Sequence, residues 1–180
     1  MTAIVAVLAG GRGRRMGRPK ALVELGGAPM IAHPLAAAAD AGLDAVVIAK
    51  AGTPLPALDV PVWHEPDEPV HPLLGIVTAL ERADGPVVAV ACDQPFVTGA
   101  LLGRLATGPE AAVRVGDRVE PLPARYEPAA LPALRTALAN EASLRKTLAQ
   151  LEPVALECGA DEVASVNTPE ELAAAERRCD

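Results

Sequence analysis

The chain has 180 residues, 51% of them hydrophobic but only 2% aromatic, so its core must be built from Ala, Val and Leu. That length suits one domain, residues 1–180, able to bury about 70% of its unfolded surface. Of a formal net charge of −7, the first twenty residues contribute +5, which leaves −12 on the rest. An acidic body with one basic loop suits a small anionic ligand. It argues against a nucleic-acid groove, which needs an extended basic face or aromatic stacking platforms.

In chain order, the apolar run Ala3-Ile4-Val5-Ala6-Val7 reads as a buried strand. It empties into a loop with four glycines (Gly10, Gly11, Gly13, Gly17), five cations (Arg12, Arg14, Arg15, Arg18, Lys20) and no acid before Glu24. Ala-rich helical segments follow at 30–41, 73–83 and 100–106, with Pro34 set to kink or shorten the first. Between them, 45–49, 60–63, 87–92 and 111–115 are short and rich in β-branched residues, as buried strands are. Residues 119–126 read as a later strand, possible in the antiparallel sense, followed by helices near 128–139 and 143–151. Thr168-Pro169-Glu170-Glu171 combines an N-cap Thr, Pro at the first helical position and Glu at the third, a capping box that opens a last helix over 170–178. Alternating strands and helices imply right-handed crossovers and a three-layer α/β/α fold on a mostly parallel, Rossmann-like sheet.

Glycines let backbone N–H groups approach an anion closely, and the cations neutralise it, so the basic loop has the composition of a polyphosphate cradle. It is not a Walker loop, because Arg18 follows Gly17 and Ala21 follows Lys20 where Lys and Ser or Thr are required. Nor is it a dinucleotide loop: after Gly11 and Gly13 the last glycine comes one place late, and Pro19 disfavours helical geometry at Arg18. In open α/β sheets ligands sit at the carboxyl ends of strands, so three other segments should meet this loop. Asp93, after the strand at 87–92, is placed to bind Mg²⁺ or to cap the turn that follows. His71-Pro72 opens a helix, and Asn167 precedes the capping box. Asp67, in a proline-rich acidic loop, is a candidate contact to base or ribose, with a solvated loop as the alternative; Arg125, Arg145 and Lys146 are candidates for a phosphorylated acceptor or simply solvated.

Leu8, Ala9, Gly10, Gly11, Arg15, Met16, Gly17 and Lys20 match L-A-G-G-x-x-x-R-M-G-x-x-K, which resembles the signature of the MobA-like nucleotidyltransferases, molybdenum cofactor guanylyltransferases above all. His71-Pro72-Leu73-Leu74-Gly75 resembles that family's G-P-L-A-G segment, with His71 and Leu74 departing; Cys92-Asp93-Gln94-Pro95 resembles C-D-x-P; Ser165 to Leu172 resembles N-x-N-T-P-E-E-L, with Ser165 departing. The resemblance implies a GT-A-like nucleotidyltransferase fold and transfer of GMP from GTP to the terminal phosphate of molybdopterin. Pyrophosphate leaves in an in-line attack assisted by Mg²⁺. Gly10 and Gly11 favour guanine, since relatives that use CTP tend to carry Ala in the pair. The same resemblance keeps open a cytidylyltransferase or a phospholactate-type guanylyltransferase. By this likeness Arg15, Lys20 and Asp93 are catalytic. Leu8, Ala9, Gly10, Gly11, Gly13, Arg15, Lys20, Asp67, Pro72, Leu73, Gly75 and Asp93 hold the nucleotide, and Asp93 and Asn167 hold the metal.

Cys92, Cys158 and Cys179 form no CxxC pair and no metal-ligand spacing, which suits a reduced protein. No stretch approaches the roughly 18 apolar residues that span a bilayer. The first apolar run has no basic leader, so a cytoplasmic protein is expected. The expected oligomeric state is a monomer, with other molybdenum cofactor proteins as its protein partners.

Overall fold

A computed structural model describes residues 2–11 and 17–179. In chain order it contains β1 (Ile4–Leu8), a short hairpin of β2 (Glu24–Leu25) and β3 (Ala28–Pro29), α1 (Ala32–Asp40), β4 (Ala45–Lys50) and β5 (Val62–Glu65). Then come α2 (Pro72–Arg82), β6 (Val87–Ala91), α3 (Gly99–Ala106), β7 (Ala111–Val115) and β8 (Arg118–Tyr126). The chain continues through α4 (Leu131–Ala139), α5 (Leu144–Gln150), β9 (Val154–Glu157) and α6 (Pro169–Cys179). Seven strands form one sheet in the order β5-β4-β1-β6-β8-β7-β9. β5, β4, β1 and β6 run parallel, β8 enters antiparallel between β6 and β7, and β9 pairs parallel with β7. The three-layer, mostly parallel α/β/α architecture is the one the alternating pattern implies.

Alternate residues of each strand feed opposite faces. Val5, Val7, Val47, Ala49, Val88 and Val90 pack towards α1 and α3 with Leu101, Leu102 and Leu105. Ala6, Val46, Ile48, Val87 and Ala89 pack on the other face with Leu73, Ile76 and Leu80 of α2 and with Leu134 and Leu148. Small Ala and Val on the strands let two helical layers approach a sheet that has little aromatic volume to fill. Tyr126, fully buried, is the exception, and its hydroxyl donates to the Pro121 carbonyl at 2.9 Å.

Several boundaries differ from the sequence pattern. Helix α1 starts at Ala32 rather than at residue 30, so Pro34 falls in its first turn, where a missing N–H costs nothing. Strand β5 spans Val62–Glu65, two residues later than expected, because its register is set by pairing Val62 with Val47 and Glu65 with Lys50. The hairpin β2–β3 and strand β9 escape the sequence reading: two-residue strands have no detectable period, and Val154-Ala-Leu-Glu is too short to separate from a loop.

The hairpin does positioning work. Val23, Leu25 and Met30 form a separate small core with Val166, Ala175, Phe96 and Leu172. That cluster docks the segment before α6 beside β6, where the Val166 N–H donates to the Asp93 carbonyl at 2.8 Å. The capping box of α6 closes as the sequence predicts: Glu171 N–H donates to Thr168 Oγ1 at 3.2 Å, and Glu171 Oε2 accepts from the Thr168 and Asn167 N–H groups.

Candidate active site

The carboxyl ends of β1, β4, β5 and β6 meet the start of α2 and the loop before α6 around a cavity of about 590 Å³. Strand β1 delivers Leu8, Gly10 and Gly11 to its wall. A 3₁₀ turn over Lys20–Leu22, entered from extended Pro19 and anchored by buried Ala21, delivers Lys20. Strand β6 delivers Ala91, Cys92 and Asp93, helix α2 delivers Pro72 and Gly75, and the α6 loop delivers Asn167. Asp93 and Asn167, which lie 73 and 147 positions beyond Lys20 in sequence, thus share one space with it.

The tightest cluster is ionic. The Lys20 ammonium donates to Asp93 Oδ2 at 2.5 Å and to Asn167 Oδ1 at 2.6 Å. Asp93 therefore spends its side chain on the cavity, and α3 is capped instead by Thr98, whose Oγ1 accepts from the Leu101 N–H. An ammonium held between a carboxylate and an amide oxygen marks a position built to receive positive charge. Among the described residues no group of three or more His, Cys, Asp or Glu gathers to hold a metal. One carboxylate plus an amide oxygen is the poor, oxygen-only donor set that suits Mg²⁺, which fills its shell from phosphates and water, and is wrong for zinc.

Cys92 also lines the cavity, but burial pushes its thiol up to about 12, with the neighbouring Asp93 charge adding to the rise. At neutral pH it is a protonated, inert wall residue and no nucleophile.

Of the other expected residues, Ala9 is buried behind the wall, its N–H donated to the Ile48 carbonyl at 2.8 Å. Leu73 is fully buried beneath α2, and its N–H is taken by His71 Nδ1 at 3.1 Å. His71 is thus the N-cap of α2, with Nδ1 as acceptor. Asp67 is exposed and off the wall, and its backbone carbonyl accepts from the Lys50 ammonium at 2.7 Å. Ser165 is exposed and off the wall. Gly13 and Arg15 lie outside the described residues. Among the acceptor-binding candidates, Arg125 is buried and committed to Glu127 Oε1 and the Ala106 carbonyl, a structural role, while Arg145 pairs with Glu120 at 2.9 Å.

The carboxylate that does reach the far wall is Glu65, at the end of β5, beside Lys50 at the end of β4. Burial raises the Glu65 carboxyl above its usual range, and the Lys50 charge 3.6 Å away opposes that rise. Its side chain packs against two glycines. A Cβ on Gly10 would lie 2.0 Å from Glu65 Oε1, and one on Gly75 would lie 3.2 Å from Glu65 Oε2 and 3.1 Å from Leu8 Cδ2. No motif flags Lys50 or Glu65, yet both sit at strand carboxyl ends, the positions where this class of sheet binds ligands.

Glycines, a lysine, a carboxylate and an amide thus meet at the carboxyl edge of one mostly parallel sheet. Residues 5–154 match the MobA-like NTP transferase domain, and the chain belongs to that family. It is 37% identical to the molybdenum cofactor guanylyltransferase of Rhodobacter capsulatus, across 96% of this chain and 94% of that protein. It is 36% identical to the Pseudomonas entomophila protein of the same name, across 93% of this chain and 95% of that one. Molybdopterin-guanine dinucleotide biosynthesis protein A from Archaeoglobus fulgidus superposes with a TM-score of 0.76 at 26% identity, covering 97% of both chains. The fold extends to 2-C-methyl-D-erythritol 4-phosphate cytidylyltransferase from Thermus thermophilus, with a TM-score of 0.75 at 22% identity over 99% of both chains. No helix among the described residues is long and apolar enough to cross a membrane.

Proposed function

We propose that the protein transfers the guanylyl group of GTP to the terminal phosphate of a molybdopterin-type acceptor, giving the guanine dinucleotide cofactor and pyrophosphate. The observation that carries this reading is the convergence of Lys20, Asp93 and Asn167 on one cavity beneath the Gly10–Gly11 edge. The relatives' names supply the base and the acceptor.

An oxygen of the acceptor phosphate attacks the α-phosphorus of GTP, a new P–O bond forms, and the bond to the β-phosphate oxygen breaks. No covalent enzyme intermediate is needed, which agrees with a protonated Cys92. The protein's part is alignment and charge stabilisation. The Gly10 and Gly11 backbone would lie along the phosphate chain, and Lys20, with Arg15 by its match to the family signature, would bear on the β- and γ-phosphates as negative charge builds on the leaving group. Asp93 Oδ2 and Asn167 Oδ1, which here accept from the Lys20 ammonium, would serve as donors to a divalent cation, Mg²⁺ by donor chemistry. When bound, that ion would neutralise phosphate charge and lower the barrier to attack. Pro72 and Gly75 at the start of α2, with Glu65 packed against Gly75, form the end that receives the nucleoside. An ionised carboxylate offers two acceptors, which matches the adjacent N–H donors of guanine better than any edge of cytosine.

Pyrophosphate release from GTP, dependent on Mg²⁺ and on molybdopterin acceptor, tests the reading. CTP as the preferred donor would move the product to the cytidylyl branch. No release from any nucleotide would end the assignment.

A further inference from the structure

Lys50 stands at the last position of β4, in the cavity wall, with a side chain only 12% exposed. A lysine this buried must satisfy its ammonium within the protein. It does so through the Pro66 carbonyl at 2.6 Å, the Asp67 carbonyl at 2.7 Å and the Glu65 carboxylate at 3.6 Å. All three partners lie in one short run that leaves the edge strand β5 and leads to α2. Strand β5 is the outermost strand of its half of the sheet, with β4 as its one neighbour. Beyond their pairing at Glu65 and Lys50, the run over Glu65 to Asp67 is tied to the sheet by the Lys50 ammonium.

The same ammonium sets where the Glu65 carboxylate rests. Glu65 lies between Lys50 on one side and the Cβ-less faces of Gly10 and Gly75 on the other, at the cavity wall. Burial favours the protonated form of Glu65, and Lys50 favours the ionised form that can accept two hydrogen bonds.

We propose that Lys50 is a positioning residue for nucleotide recognition: by tying down the 66–67 backbone behind it, Lys50 fixes the Glu65 carboxylate as the part of the cavity wall against which the guanine of the donor nucleotide is read. The inference rests on the guanylyltransferase reading and deepens it, since it assigns base discrimination to a lysine that itself need not touch the base.

The test is equilibrium binding of GTP and ITP, in Mg²⁺, to the wild-type protein, K50M, K50R and E65Q. ITP lacks the exocyclic amino group and so reports the loss of one donor to the wall. Wild type should prefer GTP over ITP, and K50M should lose at least ~10-fold in GTP affinity while ITP affinity changes less, so that the preference shrinks. Arginine can reach the same carbonyls and carboxylate, so K50R should recover most of the preference. E65Q should lose it as K50M does. In steady state the K50M defect should fall on KM, with kcat within threefold of wild type. An unchanged GTP-to-ITP ratio in folded K50M, or a ratio lost equally in K50R, would overturn the proposal. Should K50M fail to fold, K50R and E65Q decide the matter alone, with an intact ratio in E65Q as the contrary result. Wild type that binds GTP no better than CTP would instead overturn the guanylyl reading, so the two failures are distinct.

Discussion

Two lysine–carboxylate pairs line one cavity, and they are built differently. Lys20 and Asp93 touch at 2.5 Å, and the lysine's second partner is a side-chain amide, Asn167. Every group in that cluster is a side chain that can exchange its partner for phosphate or cation. Lys50 and Glu65 are 3.6 Å apart, and the lysine's closer partners are two backbone carbonyls. Two of that lysine's partners are thus fixed in the main chain. One wall is arranged to trade contacts during a reaction, the other to stay where it is.

The contrast gives graded predictions. On the exchangeable wall, Lys20→Ala or Asp93→Ala should lower turnover by at least ~10²-fold, the scale of losing one preorganised electrostatic partner. Steady-state pyrophosphate release checks this, and either variant within threefold of wild type would remove that residue from its role. On the fixed wall, Gly10→Ala should cost about tenfold in GTP affinity, because its methyl would displace the Glu65 carboxylate now 2.0 Å from that Cβ position. The cost should shrink in a Lys50→Met background, where Glu65 is already released; a strictly additive double-mutant cycle would show that the two sites are uncoupled.

Smaller effects lie at the seam between the walls. His71→Ala strands the Leu73 N–H at the start of α2 and should cost about 1 kcal/mol in chemical denaturation, while His71→Asp should retain most of that stability. The smallest effect is a pH slope. Glu65 holds its proton more tightly folded than its ordinary 4.5. The native state therefore binds more protons across that window, and stability falls as pH rises from about 4.5 through the folded value. Above it the burial cost is fully present. Glu65→Gln should remove that component, so the difference in Tm between wild type and variant should change sign-consistently with pH across this window and be flat above it.

Much of the exchangeable wall is legible in the sequence. Lys20, Asp93 and Asn167 each sit in a segment whose residue types answer to phosphate, metal or helix-cap chemistry, and the capping box of α6 alone predicts how residues 167–171 turn. The fixed wall is not legible, because Lys50 acts on backbone carbonyls, which any sequence supplies, and Glu65 acts through its position at a strand end. The sequence reading names Asp67, in the loop, while the carboxylate that lines the cavity is Glu65, two residues earlier, in a strand that runs to Glu65 rather than ending at residue 63. The fold was readable where apolar runs are long: β1, β4 and β6 each carry a buried stretch that no helix pattern fits. The β2–β3 hairpin was not, although its small core is what carries Asn167 to Asp93.

The account turns on the claim that the Lys20–Asp93–Asn167 wall binds the phosphates and cation of a guanine nucleotide. The most direct measurement is thermal unfolding with Mg²⁺ and saturating GTP, CTP, ATP or UTP, on wild type and Asp93→Ala. A ligand at a hundred times its Kd should add about 2.7 kcal/mol of stability. The account predicts that gain for GTP, little for the others, and its loss in Asp93→Ala or on chelation of the metal. Stabilisation by no nucleotide, or by GTP equally in Asp93→Ala, would contradict it.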